Sequence, residues 1–311
     1  MHRFKNILAV YGDHVGADDV LSRAVALAQA NDARLTLVDV LPEKYATGAA
    51  LAERQKRLGR LVPSIEVEGV RKIAVEVFVG TGFLKIIQQV LRANHDLVVA
   101  SADDGAYLRS LYFGSTATHL MRKCPCPVWI IKPNQPHRYA NILACIDPKT
   151  NQGSGNELDE KILDLATSLA VTNFAKLHIV HAWEVEGKDR DTVRSEVPND
   201  VLMSILAKHE ALHRARVDQL LSGYALAAIE HEVHMPRATP QRAILELVDM
   251  HDVDLIVMGT VSRTGIAGLI IGNAAESILS VVHCGVFTVK PKGFITPVTL
   301  EPVMQNTSVR A

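Results

Sequence analysis

The chain contains two copies of one sequence pattern, and this internal repeat constrains its fold more than any other feature. Three blocks of the first copy recur in the second, each shifted by 158 residues. The matched blocks are 96–101 with 254–259, 114–115 with 272–273, and 126–133 with 284–291. Three blocks at one spacing are hard to obtain by chance, so the chain is predicted to hold two domains of the same fold in tandem.

The spacing between the copies becomes shorter towards their beginnings, which indicates insertions in the second copy. Residues 35–40 match 177–182 at a spacing of 142, and residues 5–10 match 140–145 at a spacing of 135. A short proline-containing linker separates the two copies. The predicted boundaries are 1–133 for the first domain, 138–292 for the second domain and 293–311 for a C-terminal tail.

Short apolar runs alternate with segments of helical periodicity in both copies, which predicts five strands and four helices in each. The apolar run 7–11 precedes the helical pattern 18–30, for example, and the second copy repeats this order with 142–146 and 159–170. Strands that alternate with helices form a parallel sheet covered on both faces, and right-handed crossovers make it doubly wound. The predicted fold class is therefore α/β, with two tandem doubly wound parallel five-stranded sheets of Rossmann-like type.

The composition of the chain limits the classes of partner and the cellular compartment that we expect for this protein. The chain has 33 lysines and arginines against 34 aspartates and glutamates, and this balance argues against a protein that coats nucleic acid. No uncharged run approaches the roughly 20 residues of a membrane-spanning helix, and the N-terminal segment lacks a signal-peptide pattern. The four cysteines are too few for a disulfide scaffold, so reduced thiols are expected. These features predict a cytoplasmic protein with no nucleic-acid partner and no membrane partner.

The most informative residues follow the first and fourth strands of the second copy. In doubly wound sheets, ligands bind beyond the carboxyl ends of the strands, where the strand order reverses. Strand one is predicted to end at Asp147 and strand four at Met258 and Gly259, and a glycine-rich loop then leads into a helix. Glycine lets a ligand approach the backbone, and backbone N–H groups at a helix start attract anions. This loop, which includes Ser262 and Arg263, therefore has the chemistry to hold phosphates, and Asp147 has that of a ribose-hydroxyl acceptor.

These motifs make the chain resemble the universal stress protein family. Nucleotide-binding members of that family carry Gly-x2-Gly-x9-Gly-(Ser/Thr) after strand four and an aspartate after strand one. This chain has Gly259-x2-Ser262-x9-Gly272-Asn273, together with Asp147. The resemblance covers residues 4–291 and points to the tandem, E-type branch. Ser262 and Asn273 depart from the pattern, and both are small and polar.

The resemblance implies that the second domain binds an adenine nucleotide, ATP or ADP, with or without Mg²⁺. It assigns to this site Asp147, Ala182 on the adenine side, Gly259, Ser262, Gly272, Asn273 and Ala274 on the phosphate side, and Met258 and Arg263 beside them. Single-domain members of the family dimerise through their fifth strands. By analogy, residues 128–131 and 286–289 would pair inside this chain as a pseudo-dimer, and a further homodimer is left open.

The first copy lacks most of these site residues. Gly12 stands in place of Asp147, Ser101 in place of Gly259, and Asp104 in place of Ser262. Asp103 and Asp104 would set two negative charges where phosphates would lie, and like charges at about 4 Å repel by on the order of 1 kcal/mol even in water. We therefore predict that the first domain does not bind a nucleotide polyphosphate and has a scaffold or docking role.

Three functions follow from these observations. The favoured function is a stress-response protein that binds ATP or ADP in its second domain and acts as a sensor or signalling scaffold. The alternatives are a nucleotide-independent stress scaffold and a slow ATPase. No catalytic residue is assigned, because the sequence has neither a Gly-x-Ser-x-Gly elbow nor a Walker A lysine loop.

One histidine pair has the spacing of a zinc-binding helix. His209 and His213 form a His-Glu-x-x-His pattern, which places both rings on one helix face. A protease is disfavoured because no third ligand is evident. Weak, adventitious zinc binding and an ordinary exposed helix face are the remaining interpretations, and basic neighbours favour the latter.

Further histidines flank two predicted neighbouring strands of the second copy. His178 and His181 flank strand two, and His231 and His234 flank strand three. Pairing of the strands would either join them in a metal-binding or pH-sensing cluster or leave them as ordinary half-exposed strand residues. The sequence favours the half-exposed arrangement.

Overall fold

Ten strands of the chain form one continuous sheet in the computed structural model, which describes residues 3–14, 16–102, 113–133, 135–148, 156–185, 198–260, 273–279 and 281–300. The strands are β1 (Asn6–Val10), β2 (Arg34–Leu41), β3 (Ile73–Val79), β4 (Leu97–Ser101), β5 (Val128–Ile131), β6 (Asn141–Cys145), β7 (Lys176–Val180), β8 (His231–His234), β9 (Leu255–Gly259) and β10 (Gly285–Val289). Central strands such as β4 and β9 consist almost entirely of buried apolar residues, as expected for a parallel sheet covered on both faces.

Eight α-helices within the described ranges connect these strands. They are α1 (Ala17–Asn31), α2 (Gly48–Val67), α3 (Gly82–Ala93), α4 (Ser115–Lys123), α5 (Glu157–Asn173), α6 (Asn199–Leu221), α7 (Pro240–Met250) and α8 (Asn273–Leu279). Their apolar faces cover the sheet; in α3, for example, Ile86, Ile87 and Val90 are buried. Of the helices described, none is long and apolar enough to cross a lipid bilayer.

Each half of the sheet is doubly wound, which confirms the predicted fold class. The spatial order of the strands is β3-β2-β1-β4-β5-β10-β9-β6-β7-β8. Within each half the pairing is parallel, and the first strand lies between the second and the fourth. The strand order therefore reverses between β1 and β4 in the first half, and between β6 and β9 in the second.

The two halves meet through their fifth strands. β5 and β10 pair in antiparallel register, with Phe287 opposite Trp129 and Thr288 opposite Val128. This is the pairing of residues 128–131 with 286–289 that the family resemblance implies, and it joins the two predicted five-stranded sheets into one ten-stranded sheet. The physical reason is that each fifth strand is apolar and would otherwise leave an open edge in its own sheet.

A buried lysine adds polar bonds across the same joint. Lys290 follows β10, and its ammonium group donates to the main-chain oxygen of Met121 (2.6 Å) at the end of α4 in the first half. The same group donates to the hydroxyl of Thr260, which directly follows β9. Burial lowers the pKa of Lys290 to about 8. The carbonyl end of a helix favours a cation, so α4 offsets part of the cost of burying this charge.

The structure departs from the sequence pattern at one helix. The sequence pattern over 50–61 predicts a helix there, and in the structure this helix extends to Gly48–Val67 and continues through Pro63. A proline inside a helix removes one backbone hydrogen bond. Leu58 and Ile65, on either side of Pro63, are fully buried, so packing holds both segments in one helix.

The beginning of the predicted tail is docked on the body of the protein. Val298 is buried, and the side-chain amide of Gln88 on α3 donates to the main-chain oxygen of Thr299 (3.3 Å). These contacts link the end of the second half to a helix of the first. Residues 301–311 of the predicted tail lie outside the described residues.

Replacing Phe287 with alanine tests how much the joint stabilises the fold. Phe287 is fully buried and lies 5.7 Å from the Trp129 ring, centroid to centroid. Phe287→Ala is expected to lower the free energy of unfolding by about 3–5 kcal/mol, because it leaves a cavity between the halves. Urea unfolding followed by circular dichroism measures this change. Phe174→Ala is the matched control, since Phe174 is 85% exposed and its loss should cost less than about 0.5 kcal/mol. Equal losses in both variants would contradict a stabilising joint.

Candidate functional site

The structure brings the ends of β6 and β9 together at one edge of the sheet. These strands pair directly, with Ala144 beside Val257. Asp147 follows β6, and Gly259 is the last residue of β9. Since both strands run in the same direction, their carboxyl ends border one crevice at the point where the strand order reverses. This is the position that the sequence predicts for a ligand.

Asp147 presents its carboxylate to solvent at this crevice. Its side chain is 60% exposed, and its backbone N–H donates to the buried carboxylate of Asp159 (2.9 Å), near the start of α5. His181 directly follows the neighbouring strand β7, and its Nδ1 lies 3.8 Å from Oδ1 of Asp147. The backbone is thus anchored by Asp159 while the carboxylate faces outward, an arrangement suited to accepting hydrogen bonds from hydroxyl groups.

Gly259 leaves little room for a side chain at the end of β9. A Cβ atom at this position would lie 2.8 Å from Cδ2 of Leu158. Ala182, which the resemblance assigns to the adenine side, follows β7 and is half-buried. Met258 is buried, and its side chain belongs to the apolar cluster beneath the sheet rather than to the crevice. Any contribution of Met258 to a ligand therefore comes from its backbone.

The predicted phosphate side is only partly described. Ser262, Arg263 and Gly272 lie outside the described residues. Asn273 and Ala274 begin α8, and of these two residues only the backbone is described. The assignment of these five residues to phosphate binding therefore stays a prediction.

The first half has different chemistry at the equivalent edge. Asp39 lies at the position that His181 occupies in the second half, and it is buried. Oδ2 of Asp39 accepts a hydrogen bond of 2.8 Å from each of two arginines of α2, Arg54 and Arg57. The same arginines lie 3.8 and 3.4 Å from the carboxylate of Asp13. Their positive charges are thus compensated by carboxylates of the protein itself.

The cleft beyond β1 is acidic. It has a volume of about 370 Å³, and three aspartates border it: Asp13, Asp18 and Asp19. Gly12, which replaces the aspartate of the second half, also lines this cleft. Arg57 and His14 also line this cleft, and Arg57 lies 3.4 Å from the carboxylate of Asp13, so part of the negative charge is compensated. That the first half binds no polyphosphate stays a prediction. The Asp103–Asp104 pair used in that prediction lies outside the described residues.

The two histidines of the His-Glu-x-x-His pattern differ in burial. His213 is buried, whereas His209, one turn earlier on α6, is half-buried. Nδ1 of His213 lies 2.8 Å from Nε2 of His181, and the ring of His213 stacks on Trp183 at 5.4 Å. The interpretation of this pair as an exposed helix face is therefore wrong for His213. Neither member belongs to a three-residue group of potential metal ligands within the described part of the chain.

A second histidine cluster lies on the opposite face of the sheet from α6. Nδ1 of His178 lies 3.0 Å from Nε2 of His234, and the ring of His251 lies 4.3 Å from that of His178. Burial, with a smaller effect of the neighbouring histidines, lowers the pKa of His178 to about 4, and burial also lowers the pKa of His234. The favoured interpretation of ordinary half-exposed histidines is thus wrong for His178, which is 1% exposed.

His251 was missed by the sequence reasoning. It caps the carboxyl end of α7 and is far from the two strands along the chain. The end of α7 lies against β7 and β8 in the folded chain. No local sequence pattern predicts which side chain at the end of a helix contacts a strand. His231, by contrast, is exposed and takes no part in the cluster, and its Nδ1 lies 3.0 Å from the main-chain oxygen of Ile229.

All four cysteines are free thiols, as expected from the sequence. Burial raises the pKa of Cys284 to about 12 and also raises that of Cys145. A hydrogen bond with Cys124, together with burial, raises the pKa of Cys126 well above the usual value for a thiol. A raised pKa keeps a thiol protonated and poorly reactive, which agrees with a structural role for these residues.

Comparison with known proteins identifies the repeated unit. A family model described as the universal stress protein family matches residues 3–132 and again residues 138–290. Universal stress protein E of Escherichia coli strain K12 is 29% identical over 220 residues, which cover 70% of this chain and 68% of that protein. Universal stress protein E of Photorhabdus laumondii is 24% identical over 314 residues, covering 96% of this chain and 98% of the relative.

A solved structure shows the same tandem fold. PA1789 from Pseudomonas aeruginosa PAO1, described as a functionally unknown protein, aligns with a TM-score of 0.74 and 22% identity. The alignment covers 93% of this chain and 94% of that one. The likeness therefore extends over both halves, and at this level of identity it concerns the fold.

A double-mutant cycle tests the contact between β7 and α6. One ring must donate and the other accept in the bond between His181 and His213, and both side chains are buried. His181→Ala, His213→Ala and the double variant are expected to show a coupling of about 0.5–1.5 kcal/mol in the free energy of unfolding. Urea unfolding near pH 7 measures all three. His181→Ala combined with His231→Ala is the control and should be additive; additivity in both cycles would mean that the bond contributes nothing.

Proposed function

This chain belongs to the universal stress protein family, and from this premise we propose that its second half binds ATP or ADP and that the protein acts as a stress-response sensor or signalling scaffold. One observation carries the proposal: Asp147 and Gly259 lie at the ends of two adjacent parallel strands, where the strand order reverses. In doubly wound sheets this is the position of the ligand crevice. The exposed carboxylate of Asp147 suits a ribose hydroxyl.

The loop after Gly259 supplies the phosphate chemistry in this proposal. Its spacing, Gly259-x2-Ser262-x9-Gly272-Asn273, keeps two of the three glycines of the family pattern and replaces the second and fourth members by small polar residues. Arg263 adds a positive charge, and α8 begins at Asn273. Backbone N–H groups at the start of a helix complement the negative charge of a phosphate. Mg²⁺ would accompany the nucleotide as its usual counter-ion.

The joint between the halves offers a route for a signal. Thr260 is the first residue after Gly259, and its hydroxyl accepts a hydrogen bond from Lys290. Lys290 also donates to Met121 and Arg122 of the first half. A change in the loop after β9 would thus reach the end of α4 through a single side chain. In this proposal the paired fifth strands act as an intramolecular pseudo-dimer, with the first half as the docking partner of the nucleotide-binding half.

Two alternative functions predict different behaviour at the crevice between β6 and β9. A nucleotide-independent scaffold requires no ligand there, and the two replaced motif positions, Ser262 and Asn273, favour it. A slow ATPase requires a group that positions water, and Asp147 is the candidate. Binding and phosphate release therefore separate the three functions.

Titration of ATP or ADP with Mg²⁺ into the full chain, followed by calorimetry, tests the proposal. The expected result is one site per chain that is lost in Gly259→Asp, because the new carboxylate meets both Leu158 and the phosphates. Gly59→Asp is the matched control, since a Cβ atom at Gly59 meets nothing within 4 Å and the residue lies on α2 of the first half. No heat with the unaltered chain would overturn nucleotide binding in favour of the scaffold. Phosphate release that is lost in Gly259→Asp would favour the ATPase.

Replacing Asp147 with asparagine tests whether its carboxylate contributes to nucleotide binding. Asp147→Asn is expected to weaken nucleotide binding about 10- to 100-fold, because a hydrogen bond to a charged acceptor contributes roughly 1.5–3 kcal/mol. The same calorimetric titration measures this. Asp13→Asn is the control, since Asp13 is also an exposed aspartate after the first strand of its half and should leave binding unchanged. Equal affinities in both variants would remove Asp147 from the site.

A further inference from the structure

Three histidines of the second half converge from separate elements. His178 lies within β7, His234 is the last residue of β8, and His251 caps α7. In the parallel register Val180 lies beside His234, so His178 and His234 are diagonal neighbours on one face of the sheet. α7 covers that face, and its carboxyl end brings His251 onto the pair. One nitrogen from each ring lies within 4.8 Å of the other two.

The distances are close to those of a metal site. Tetrahedral Zn²⁺ with bonds of 2.0–2.1 Å places its nitrogen ligands about 3.3 Å apart. Nδ1 of His178 and Nε2 of His234 are already 3.0 Å apart. The third imidazole has at most about 1.5 Å to move, which rotation of a side chain at a helix end can supply. Three imidazoles suit Zn²⁺ among the common protein metals.

Burial distinguishes this cluster from three ordinary surface histidines. His178 is 1% exposed, and the side chain of His234 is 12% exposed. A buried imidazole needs polar partners, and the partner that Nδ1 of His178 meets is another member of the cluster, Nε2 of His234.

The surroundings supply what a metal ion needs besides its ligands. Oε1 of Glu232 lies 3.8 Å from Nδ1 of His234, beyond hydrogen-bond length, while Nε2 of the same ring faces His178. A small rotation of the Glu232 side chain would bring this carboxylate to the place where it orients a metal-binding histidine. The nearby Lys176 is paired with Glu232 at 2.9 Å, which compensates its charge. A cleft of about 240 Å³ borders His234 and gives access from solvent.

The first half shows that the fold does not require histidine at these places. Repeat spacing and strand register place Thr36, Glu76 and Ala93 at the corresponding positions. There the side chain of Gln89 donates to Glu76 at 2.9 Å, and the same architecture forms without imidazoles. The three histidines are therefore a property of the second half and not of its packing scheme.

We propose that His178, His234 and His251 bind one Zn²⁺ ion, with a water molecule or an external ligand in the fourth position. The ion ties the outermost strand of the second half to its neighbour and to the end of α7. β8 is a short edge strand of four largely exposed residues. A metal ion that links His234 to β7 and α7 would therefore stabilise the position of this edge strand. The site is separate from the crevice between β6 and β9 and stands independently of nucleotide binding.

The test uses the full chain, prepared without a histidine tag, freed of metal with a chelator and then titrated with Zn²⁺ alone. Calorimetry is expected to show one site per chain. His251→Ala and His234→Gln should each weaken binding by about 100-fold or more, since loss of an outer carboxylate alone costs 10- to 100-fold. His231→Ala is the matched control, because this exposed histidine lies on the same strand outside the cluster, and it should bind as the unaltered chain does. Far-UV circular dichroism checks that each variant is folded.

A second readout keeps the proposal falsifiable if a variant is unstable. Zn²⁺ is expected to raise the unfolding temperature of the unaltered chain and of His231→Ala, and to leave that of His251→Ala unchanged. X-ray absorption should show a first shell with three imidazoles. The proposal is overturned if the unaltered chain binds no Zn²⁺. It is overturned equally if binding survives in His251→Ala and is lost in His209→Ala, because the ion would then sit on the His-x3-His pair of α6.

Discussion

The antiparallel pairing of β5 with β10 is the contact on which the rest of this structure depends. Each half alone would end in an apolar edge strand, with Val128–Ile131 or Gly285–Val289 uncovered. Pairing the two edges buries Trp129 and Phe287 against each other and turns two sheets into one. Lys290 adds bonds from β10 to the end of α4. The joint therefore fixes where each half presents its strand ends.

The two halves have the same strand order and differ in the side chains that connect the ends of the strands to the helices. At the end of the second strand, the first half has a buried aspartate bound by two arginines of α2. The second half has His181 bound by His213 of α6 at the same place. In the second half the carboxylate near these strand ends belongs to Asp147, whose side chain is exposed at the crevice. The first half thus has a buried carboxylate paired with arginines, and the second half has an exposed carboxylate at the proposed crevice.

The second half also separates two kinds of chemistry in space. The proposed nucleotide crevice lies between β6 and β9, next to the joint, whereas the histidine cluster lies on β7, β8 and the end of α7. The strand order places the cluster at the far edge of the sheet from the joint. An ion at the edge and a nucleotide near the joint would therefore act on different parts of the fold.

The sequence by itself determined the repeat and the alternation of strands and helices, and it predicted the edge of the sheet at which we propose a ligand. These follow from local periodicity and from the geometry of parallel sheets, which leave few topologies open. The helix ends also follow from local signals; Asp252 and Asn94, at equivalent positions after α7 and α3, both adopt a left-handed backbone. The pairing of the fifth strands followed from the family resemblance, whereas only the tertiary structure decided the register of that pairing, that His213 is buried, and that His251 joins His178 and His234. Each of these depends on contacts between residues far apart in the chain, and side-chain burial at such contacts is set by packing, which no local pattern encodes.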